Sequence, residues 1–339
     1  MTCSDARPVI TVLCARADDR PPHLDEVEAR AEVRYTDAAG LSEAIVGAEA
    51  LFLWDFFSTA VEQVWNHADR LRWIHVAAAG VDTLLFDDLV ASDVVVTNAH
   101  GVFDRPIAEY VLSAILARAK RLHESHDLQR TKTWRHRETE TIQGANALVV
   151  GAGGIGREIA RLLSAVGMEV RGAGRTARSG DPDFGEVVAS DDLGAHVGWA
   201  EHVVLAVPLT DQTRGLVDQT VLAAMRPGAH LVNIARGPVV DEAALIAALT
   251  SGPLSAATLD VFVTEPLPED SPLWSTPGAV VTPHMSGDVV GWMDTLAKQF
   301  VDNARRWLDG AHLANVVDLK LGYVPSSASP STGNRESGS

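Results

Sequence analysis

The stretch Ala147-Leu-Val-Val-Gly151-Ala-Gly153-Gly154-Ile155-Gly156-Arg-Glu-Ile-Ala160 decides the fold of this chain. A short apolar run leads into spaced glycines, and a helical pattern follows at once. In such a turn Gly151 permits the sharp bend, Gly153 lets the backbone approach a pyrophosphate, and Gly156 lets the helix pack on the strand. The pattern predicts a nucleotide-binding turn at a helix N-terminus. Its expected contact residues are Gly151, Gly153, Gly154, Ile155 and Gly156.

Five more apolar strands are predicted after this turn, separated by helix-sized intervals. They lie near Val170 and at residues 203–207, 230–234, 257–261 and 280–282. Together with the strand before the turn they indicate a doubly wound parallel sheet of the Rossmann type. The fold class expected for this half is therefore α/β.

The first hundred residues show the same alternation of strands and helices. Candidate strands lie at residues 9–14, 50–54, 73–76 and 94–97, which predicts a second doubly wound parallel sheet of the flavodoxin-like kind. Long helical patterns at 107–122, opened by Pro106, and at 292–308 would carry the chain between two domains twice. Residues 313–321 are predicted to form a strand or a loop.

The two crossings predict a discontinuous first domain. We expect a substrate-binding domain from residues 1–102 and 290–324, and a dinucleotide-binding domain from residues 103–289. Residues 325–339 are rich in Ser, Pro and Gly and have little to bury, so a disordered tail is predicted.

Composition excludes several classes of function. The net charge of −17 argues against nucleic-acid binding, and any site for an anion must carry its own arginines. No apolar run reaches membrane-spanning length and the start does not resemble a signal peptide, so we expect a cytoplasmic protein with no membrane partner. Cys3 and Cys14 lack metal-ligand spacing, and no metal site is predicted.

The end of the second Rossmann strand bears on the choice of cofactor. NAD-selective sites place Asp or Glu there to hold the ribose hydroxyls, but this chain has Gly174. Arg175, Thr176 and Arg178 follow, and they suit the 2′-phosphate of NADP. The sequence therefore favours NADP, with NAD as the alternative.

Three motifs follow the later strands, where an open α/β sheet binds its ligands. They are Asn233-Ile-Ala-Arg236-Gly237, Asp260-Val-Phe-Val-Thr-Glu265-Pro266 and Thr282-Pro283-His284. Arg236 could hold the carboxylate of a 2-keto acid and polarise its carbonyl. His284 is suited to protonate the developing alkoxide, and Glu265 would hold the imidazole ring and favour its charged form.

In these motifs the chain resembles the D-isomer-specific 2-hydroxyacid dehydrogenase family, which includes glyoxylate/hydroxypyruvate reductases and phosphoglycerate dehydrogenase. The resemblance covers residues 71–323. It also includes Ala79-Gly80-Val81-Asp82, Ala108-Glu109, Pro208 with Thr213, and Asn315-Val-Val-Asp318.

The resemblance implies hydride transfer between NAD(P)H and a small 2-keto acid, of the glyoxylate, hydroxypyruvate or pyruvate class, to give the D-2-hydroxy acid. It assigns the chemistry to Arg236, Glu265 and His284. Ala78, Ala79 and Gly80, with Arg236 and His284, would bind the substrate, and Asp260 would contact the nicotinamide carboxamide. A homodimer is expected. The other expected cofactor contacts are Val207, Pro208, Thr213, Ile234, Ala235, Arg236, His284, Ser286 and Gly287.

Two other functions stay open at this point. Phosphite dehydrogenase resembles the same arrangement, and transcriptional corepressors that sense a nucleotide are built on the same fold. Formate dehydrogenase is disfavoured, because those relatives have Gln where this chain has Glu265. Some relatives have threonine where Ala79 stands. Trp54 and Phe56 could shape a substrate pocket or pack in the core.

Overall fold

The computed structural model describes residues 7–325, which divide into two compact units. One unit holds the described residues up to Asn98 together with those from Ala297 onward, and the other is Ala99–Leu296. The tail predicted to be disordered, residues 325–339, lies outside the described residues apart from Pro325.

The first unit is built on a five-stranded parallel sheet. Its strands are β1 (Val9–Leu13), β2 (Glu32–Thr36), β3 (Ala50–Leu53), β4 (Trp73–Val76) and β5 (Val95–Asn98). Their order is β2-β1-β3-β4-β5, which is the flavodoxin order. Its helices are α1 (Asp25–Arg30), α2 (Leu41–Ala44), α3 (Ala60–Gln63) and α4 (Asp87–Val90). The predicted fold class of this unit is confirmed.

An aromatic stack lies against one face of this sheet. The rings of Phe52 in β3 and Phe300 are parallel with centroids 3.8 Å apart, and Trp73 in β4 stacks on the same Phe300 ring at 5.6 Å. Phe300 belongs to α11 (Trp292–Leu308), a helix whose bounds were predicted correctly. Residues 313–321 form a loop that pairs with β5 through one bridge, between Thr97 and Val316.

The second unit contains an eight-stranded sheet. Its strands are β6 (Asn146–Val150), β7 (Glu169–Gly174), β8 (Arg178–Asp181), β9 (Gly185–Ala189), β10 (His202–Leu205), β11 (Ala229–Asn233), β12 (Leu254–Leu259) and β13 (Ala279–Val281). The order is β13-β12-β11-β10-β6-β7-β9-β8, and only β8 runs antiparallel to its neighbour. This order contains the Rossmann arrangement, which confirms the predicted doubly wound fold.

The helices of the second unit are α5 (Asp104–Ala119), α6 (Leu122–Arg130), α7 (Gly154–Ala165), α8 (Leu193–His196), α9 (Gln219–Ala224) and α10 (Glu242–Ser251). The single helix predicted at 107–122 was wrong at both ends. The observed helix α5 begins three residues earlier than predicted, at Asp104. It ends at Ala119, and α6 follows after a break at Arg121, whose φ is +53°. A left-handed residue cannot continue a helix, so the chain turns there.

Three strands were not predicted from the sequence: β2, β8 and β9. Two of them, β2 and β8, lie at sheet edges and carry charged residues such as Glu32, Arg34 and Arg178. An edge strand exposes one side to water and needs no apolar run, so its sequence does not differ from that of a loop. The β8–β9 hairpin forms the end of the sheet beside β7. It follows the loop that we expect to bind the ribose of the cofactor.

Candidate active site

The glycine-rich turn has the shape that a dinucleotide requires. Gly151 has a φ of +120°, and a Cβ there would lie 2.2 Å from the backbone oxygen of Ala206. A Cβ on Gly156 would lie 1.8 Å from the oxygen of Gly151, whereas one on exposed Gly153 would meet nothing within 4 Å. Two glycines therefore allow close packing, and the third leaves open space at the N-terminus of α7 for a pyrophosphate.

Two side chains that the sequence analysis missed flank this turn. A Cβ on Gly154 would lie 2.6 Å from Oδ2 of Asp104 and 3.0 Å from Cε1 of His100. Burial raises the pKa of Asp104, and the positive charge of His100 opposes the rise. Asp104 is the first residue of α5 and His100 lies in the turn before it. Neither belongs to the glycine pattern, so no local sequence signal marked them.

The residues expected to read the ribose follow β7 directly. Gly174 is the last residue of β7, and a Cβ on it would lie 3.6 Å from the Cβ of Ala152 in the glycine-rich turn. Arg175 and Thr176 are exposed. Arg178 lies in β8, where its Nη2 is 2.8 Å from Oδ2 of Asp181, an ion pair that was not predicted.

The remaining expected cofactor contacts lie in loops at the carboxyl ends of β10, β11 and β13. After β10, the hydroxyl of Thr213 donates to the backbone oxygen of Pro208 at 2.6 Å, and Val207 is partly buried. After β11, Ile234 and Ala235 are buried. Ser286 and Gly287, which come after β13, are buried as well.

Arg236 is held by its own loop and by the loop that follows β12. The side chain of Asn233 accepts from the amide of Ala235 and donates to the backbone oxygen of Arg236, both at 3.1 Å. A Cβ on Gly237 would lie only 1.9 Å from the backbone carbon of Phe262. Only glycine permits this approach, which packs the Arg236 loop against the loop that carries Glu265.

Glu265 and His284 form the central polar pair. Nδ1 of His284 lies 2.7 Å from Oε2 of Glu265, and the amide of Phe262 donates to Oε1 at 2.8 Å. Burial alone would raise the pKa of Glu265, but the contacts with His284 and Phe262 and the charge of Arg236 lower it. Glu265 is therefore a carboxylate that holds Nδ1, so proton exchange with a substrate falls to Nε2 of His284.

Asp260 anchors the loop that carries His284. Its buried carboxylate accepts from the hydroxyl of Thr282 at 2.6 Å and from the amides of Met285 at 3.0 Å and Ser286 at 2.8 Å. The amide of His284 donates to the backbone oxygen of Asp260 at 2.8 Å. This anchoring role was not predicted, and the contact of Asp260 with the nicotinamide carboxamide stays a prediction.

Tyr110, another residue that was not predicted, supports the same loop. Its hydroxyl lies 2.6 Å from the hydroxyl of Thr282, and burial raises the pKa of Tyr110 to about 12. Tyr110 is on α5, and 172 positions in sequence separate the two residues. A Tyr–Thr–Asp hydrogen-bonded chain thus connects α5 to the loop of His284.

The first unit supplies the expected substrate loop, Ala78 to Gly80, directly after β4. These three residues are partly exposed, and the backbone oxygen of Ala79 accepts from the side chain of Asn98. His75, in β4, is fully buried, and its Nδ1 lies 2.8 Å from the hydroxyl of Thr97. Trp54 is buried, and its ring centroid lies 5.5 Å from that of Phe52 in β3.

Within residues 7–325, no group of three or more His, Cys, Asp or Glu residues could hold a metal ion. Over the same residues, no helix is both long enough and apolar enough to cross a membrane.

Comparison with known proteins identifies the family of the chain. The family model of the D-isomer specific 2-hydroxyacid dehydrogenase NAD-binding domain matches residues 112–286. D-3-phosphoglycerate dehydrogenase of Mycobacterium tuberculosis is 33% identical over 88% of this chain and 57% of its own length. Glyoxylate/hydroxypyruvate reductase A of Serratia proteamaculans is 32% identical over 75% of this chain and 82% of its own.

A solved structure extends the likeness to the fold of almost the whole chain. The D-isomer specific 2-hydroxyacid dehydrogenase from Xanthobacter autotrophicus Py2, in complex with NADPH and MES, superposes with a TM-score of 0.77 at 32% identity. The match covers 94% of this chain and 100% of that one.

Arg236, Glu265 and His284 follow three adjacent strands of this Rossmann unit, β11, β12 and β13. This chain belongs to the D-isomer-specific 2-hydroxyacid dehydrogenase family. The resemblance drawn from the sequence is thereby confirmed. The chain spans 57–58% of the length of the mycobacterial phosphoglycerate dehydrogenases that it matches.

Proposed function

We propose that this chain reduces small 2-keto acids of the glyoxylate, hydroxypyruvate and pyruvate class to D-2-hydroxy acids, with NADPH favoured over NADH. The observation that carries the proposal is the pair of Glu265 and His284 at 2.7 Å, on the loops after β12 and β13. The Arg236 loop after the adjacent β11 packs against the Glu265 loop. The three residues therefore lie at the same sheet edge as the glycine-rich turn.

The residues act together on the keto acid in this proposal. A bound nicotinamide supplies the hydride. Arg236 holds the carboxylate and draws charge toward the carbonyl oxygen, because a guanidinium stays cationic and presents several donors. His284 gives its Nε2 proton to the oxygen as it becomes an alkoxide, and Glu265 stabilises the imidazolium before that transfer.

The proposed cofactor preference follows from the end of β7. Gly174 brings no carboxylate near the ribose, and exposed Arg175 and Thr176 follow it. A carboxylate would repel the 2′-phosphate of NADP, so its absence favours that cofactor. The Xanthobacter relative binds NADPH, which supports the same choice.

We further propose that residues 1–102 and 290–324 bind the substrate and residues 103–289 the cofactor. The partly exposed loop at Ala78 to Gly80 would offer backbone amides to the substrate carboxylate. Ala79 lacks a hydroxyl, so this contact would depend on the backbone.

The proposed assembly is a homodimer. Trp134 is 100% exposed, in a segment between α6 and β6 that has no regular structure. A fully exposed tryptophan is costly in water and is enriched at protein interfaces. Sedimentation of Trp134→Ser against the parent tests this assignment, and unchanged sedimentation would remove Trp134 from the interface.

One assay tests the proposed function. Glyoxylate, hydroxypyruvate, pyruvate and bulkier 2-keto acids are each added with NADPH or NADH, and cofactor absorbance is followed. His284→Gln is the matched control, because a contaminating enzyme would be unaffected by it. Activity on the small keto acids that His284→Gln abolishes supports the proposal. Turnover of phosphite with oxidised cofactor and none of any keto acid would refute it.

A further inference from the structure

A buried acid, Asp181, contacts one arginine of α7, the helix that begins in the glycine-rich turn, and one of β8, the strand after the loop that we propose binds the ribose phosphate. Asp181 ends β8, and its side chain is 2% exposed. Arg157 of α7 forms a bidentate ion pair with Asp181, in which Nη1 lies 2.9 Å from Oδ1 and Nη2 lies 3.0 Å from Oδ2. Such a two-point pair fixes the direction of both side chains.

Arg178 contacts the same carboxylate. Its Nε and Nη2 lie 2.9 Å and 2.8 Å from Oδ2 of Asp181, so one edge of the guanidinium faces the acid. Its Nη1 lies 3.4 Å from the backbone oxygen of Thr176, over the loop that follows Gly174. The carboxylate thus sets both the position and the plane of the Arg178 guanidinium.

Asp181 accepts further hydrogen bonds besides those from the two arginines. Its Oδ1 also accepts from the amides of Asp183 at 3.1 Å and Phe184 at 3.4 Å. Burial alone would raise the pKa of Asp181, but these contacts and those with Arg157 and Arg178 hold it well below its usual range. These contacts favour the ionised form of Asp181, which is the form that pairs with Arg178.

We infer that Asp181 is a positioning residue for cofactor choice: it links Arg178 to Arg157 on α7 and so aims the Arg178 guanidinium at the 2′-phosphate of NADP. This inference rests on the proposed preference for NADP. Asp181 touches no part of the cofactor and acts through Arg178. The pairing also ties the ribose loop to the helix whose N-terminus would receive the pyrophosphate.

The sign of the effect separates positioning from simple charge. Asp181 brings a negative charge near a site for a phosphate, so its neutralisation would strengthen phosphate binding if charge alone mattered. If Asp181 positions Arg178, its neutralisation releases the guanidinium and weakens binding instead. Asp181→Asn therefore distinguishes the two explanations by direction.

Asp183 provides a matched control. It is partly buried and also pairs with arginines, with Oδ2 2.6 Å from Nη1 of Arg157 and Oδ1 2.7 Å from Nε of Arg161. No hydrogen bond or ion pair of the described residues joins it to Arg178. Asp183→Asn removes the same charge from the same network and leaves the Asp181–Arg178 contact in place.

The experiment measures binding of 2′,5′-ADP and 5′-AMP by calorimetry, with the full chain at one ionic strength. We expect Asp181→Asn to lose roughly tenfold in affinity for 2′,5′-ADP, the scale of one charge-assisted hydrogen bond, and to bind 5′-AMP as the parent does. Asp183→Asn should keep the affinity of the parent for 2′,5′-ADP. In the enzyme assay, Asp181→Asn should raise the KM for NADPH while kcat and the KM for NADH stay unchanged.

Arg178→Lys gives a second test that does not alter the buried acid. Lysine keeps the positive charge but cannot present two nitrogens side by side to Asp181. We expect a loss for 2′,5′-ADP close to that of Asp181→Asn, and no further loss when the two changes are combined. Parent-like affinity in Arg178→Lys would overturn the inference.

The possible outcomes distinguish failure of the role of Asp181 from failure of the proposed NADP preference. A parent that binds 2′,5′-ADP no better than 5′-AMP refutes the NADP preference, and the inference with it. A parent that does discriminate, together with an Asp181→Asn variant that binds 2′,5′-ADP equally or more tightly, overturns the role of Asp181 alone.

Discussion

A double change at the end of β7 should reverse the cofactor preference. Gly174→Asp places a carboxylate where the ribose 2′-position would lie, and Arg175→Ser removes the adjacent positive charge. A Cβ at Gly174 would lie 3.5 Å from Val187 and 3.6 Å from Ala152, which are ordinary contact distances. The new side chain therefore fits without displacing the glycine-rich turn.

The size of the effect follows from two electrostatic contributions. Loss of a charge-assisted contact to the 2′-phosphate costs about 1 to 3 kcal/mol at a partly exposed site. Repulsion between the new carboxylate and the phosphate adds about 1 kcal/mol. This is the energy of two unit charges about 4 Å apart in water, and it applies here because solvent screens charges on this exposed loop. The sum, about 2 to 4 kcal/mol, corresponds to roughly one and a half to three decades in affinity.

The assay compares kcat/KM for NADPH and for NADH in parent and double variant, with one keto acid at one ionic strength. We expect the NADPH-to-NADH ratio to fall by roughly the factor given above and to cross unity. Gly174→Asn is the control, because it has the shape of Asp without the charge and should shift the ratio far less. A parent that already prefers NADH, or a ratio that the double change leaves unmoved, would refute the reasoning.

Three further outcomes are expected. His284→Ala should lower keto-acid reduction by roughly two to four orders of magnitude while calorimetry still detects nucleotide binding, and near-parental turnover would remove His284 as the proton donor. Burial lowers the pKa of His75 to about 3 and that of His202 to about 4. Since the unfolded chain takes up these protons below about pH 6.5, the free energy of unfolding should fall by roughly 2 kcal/mol per histidine between pH 6.5 and pH 5. Chemical denaturation should show a shallower decline in His75→Phe, and an unchanged slope would contradict this origin. Gly156→Ala should abolish nucleotide binding or folding, because its Cβ would lie 1.8 Å from the oxygen of Gly151; a variant that binds 5′-AMP normally would show that the turn can relax.

Much of the fold could be predicted because apolar runs and helical spacing are patterns within short stretches of sequence. Buried parallel strands such as β3 (ALFL) and β4 (WIHV) are rich in apolar residues, and the β4 bounds were predicted to the residue. The edge strands β2 and β8 were missed, since one of their sides faces water and their residues are charged. The start of α5 was missed because the prediction followed Pro106, whereas the helix begins two residues before it.

The sequence by itself singled out the residues that we propose carry the chemistry: the glycine-rich turn, Arg236 and the Glu265–His284 pair each belong to a short motif at a strand end. Only the tertiary structure decided what holds them. Tyr110 meets Thr282 across 172 positions, and Arg157 meets Asp181 across 24. Such contacts depend on strand order and on the packing of helices over the sheet, because residues distant in the chain become neighbours only when non-local pairing is complete. A motif can be read from adjacent residues, whereas a support made by distant residues leaves no local pattern to read.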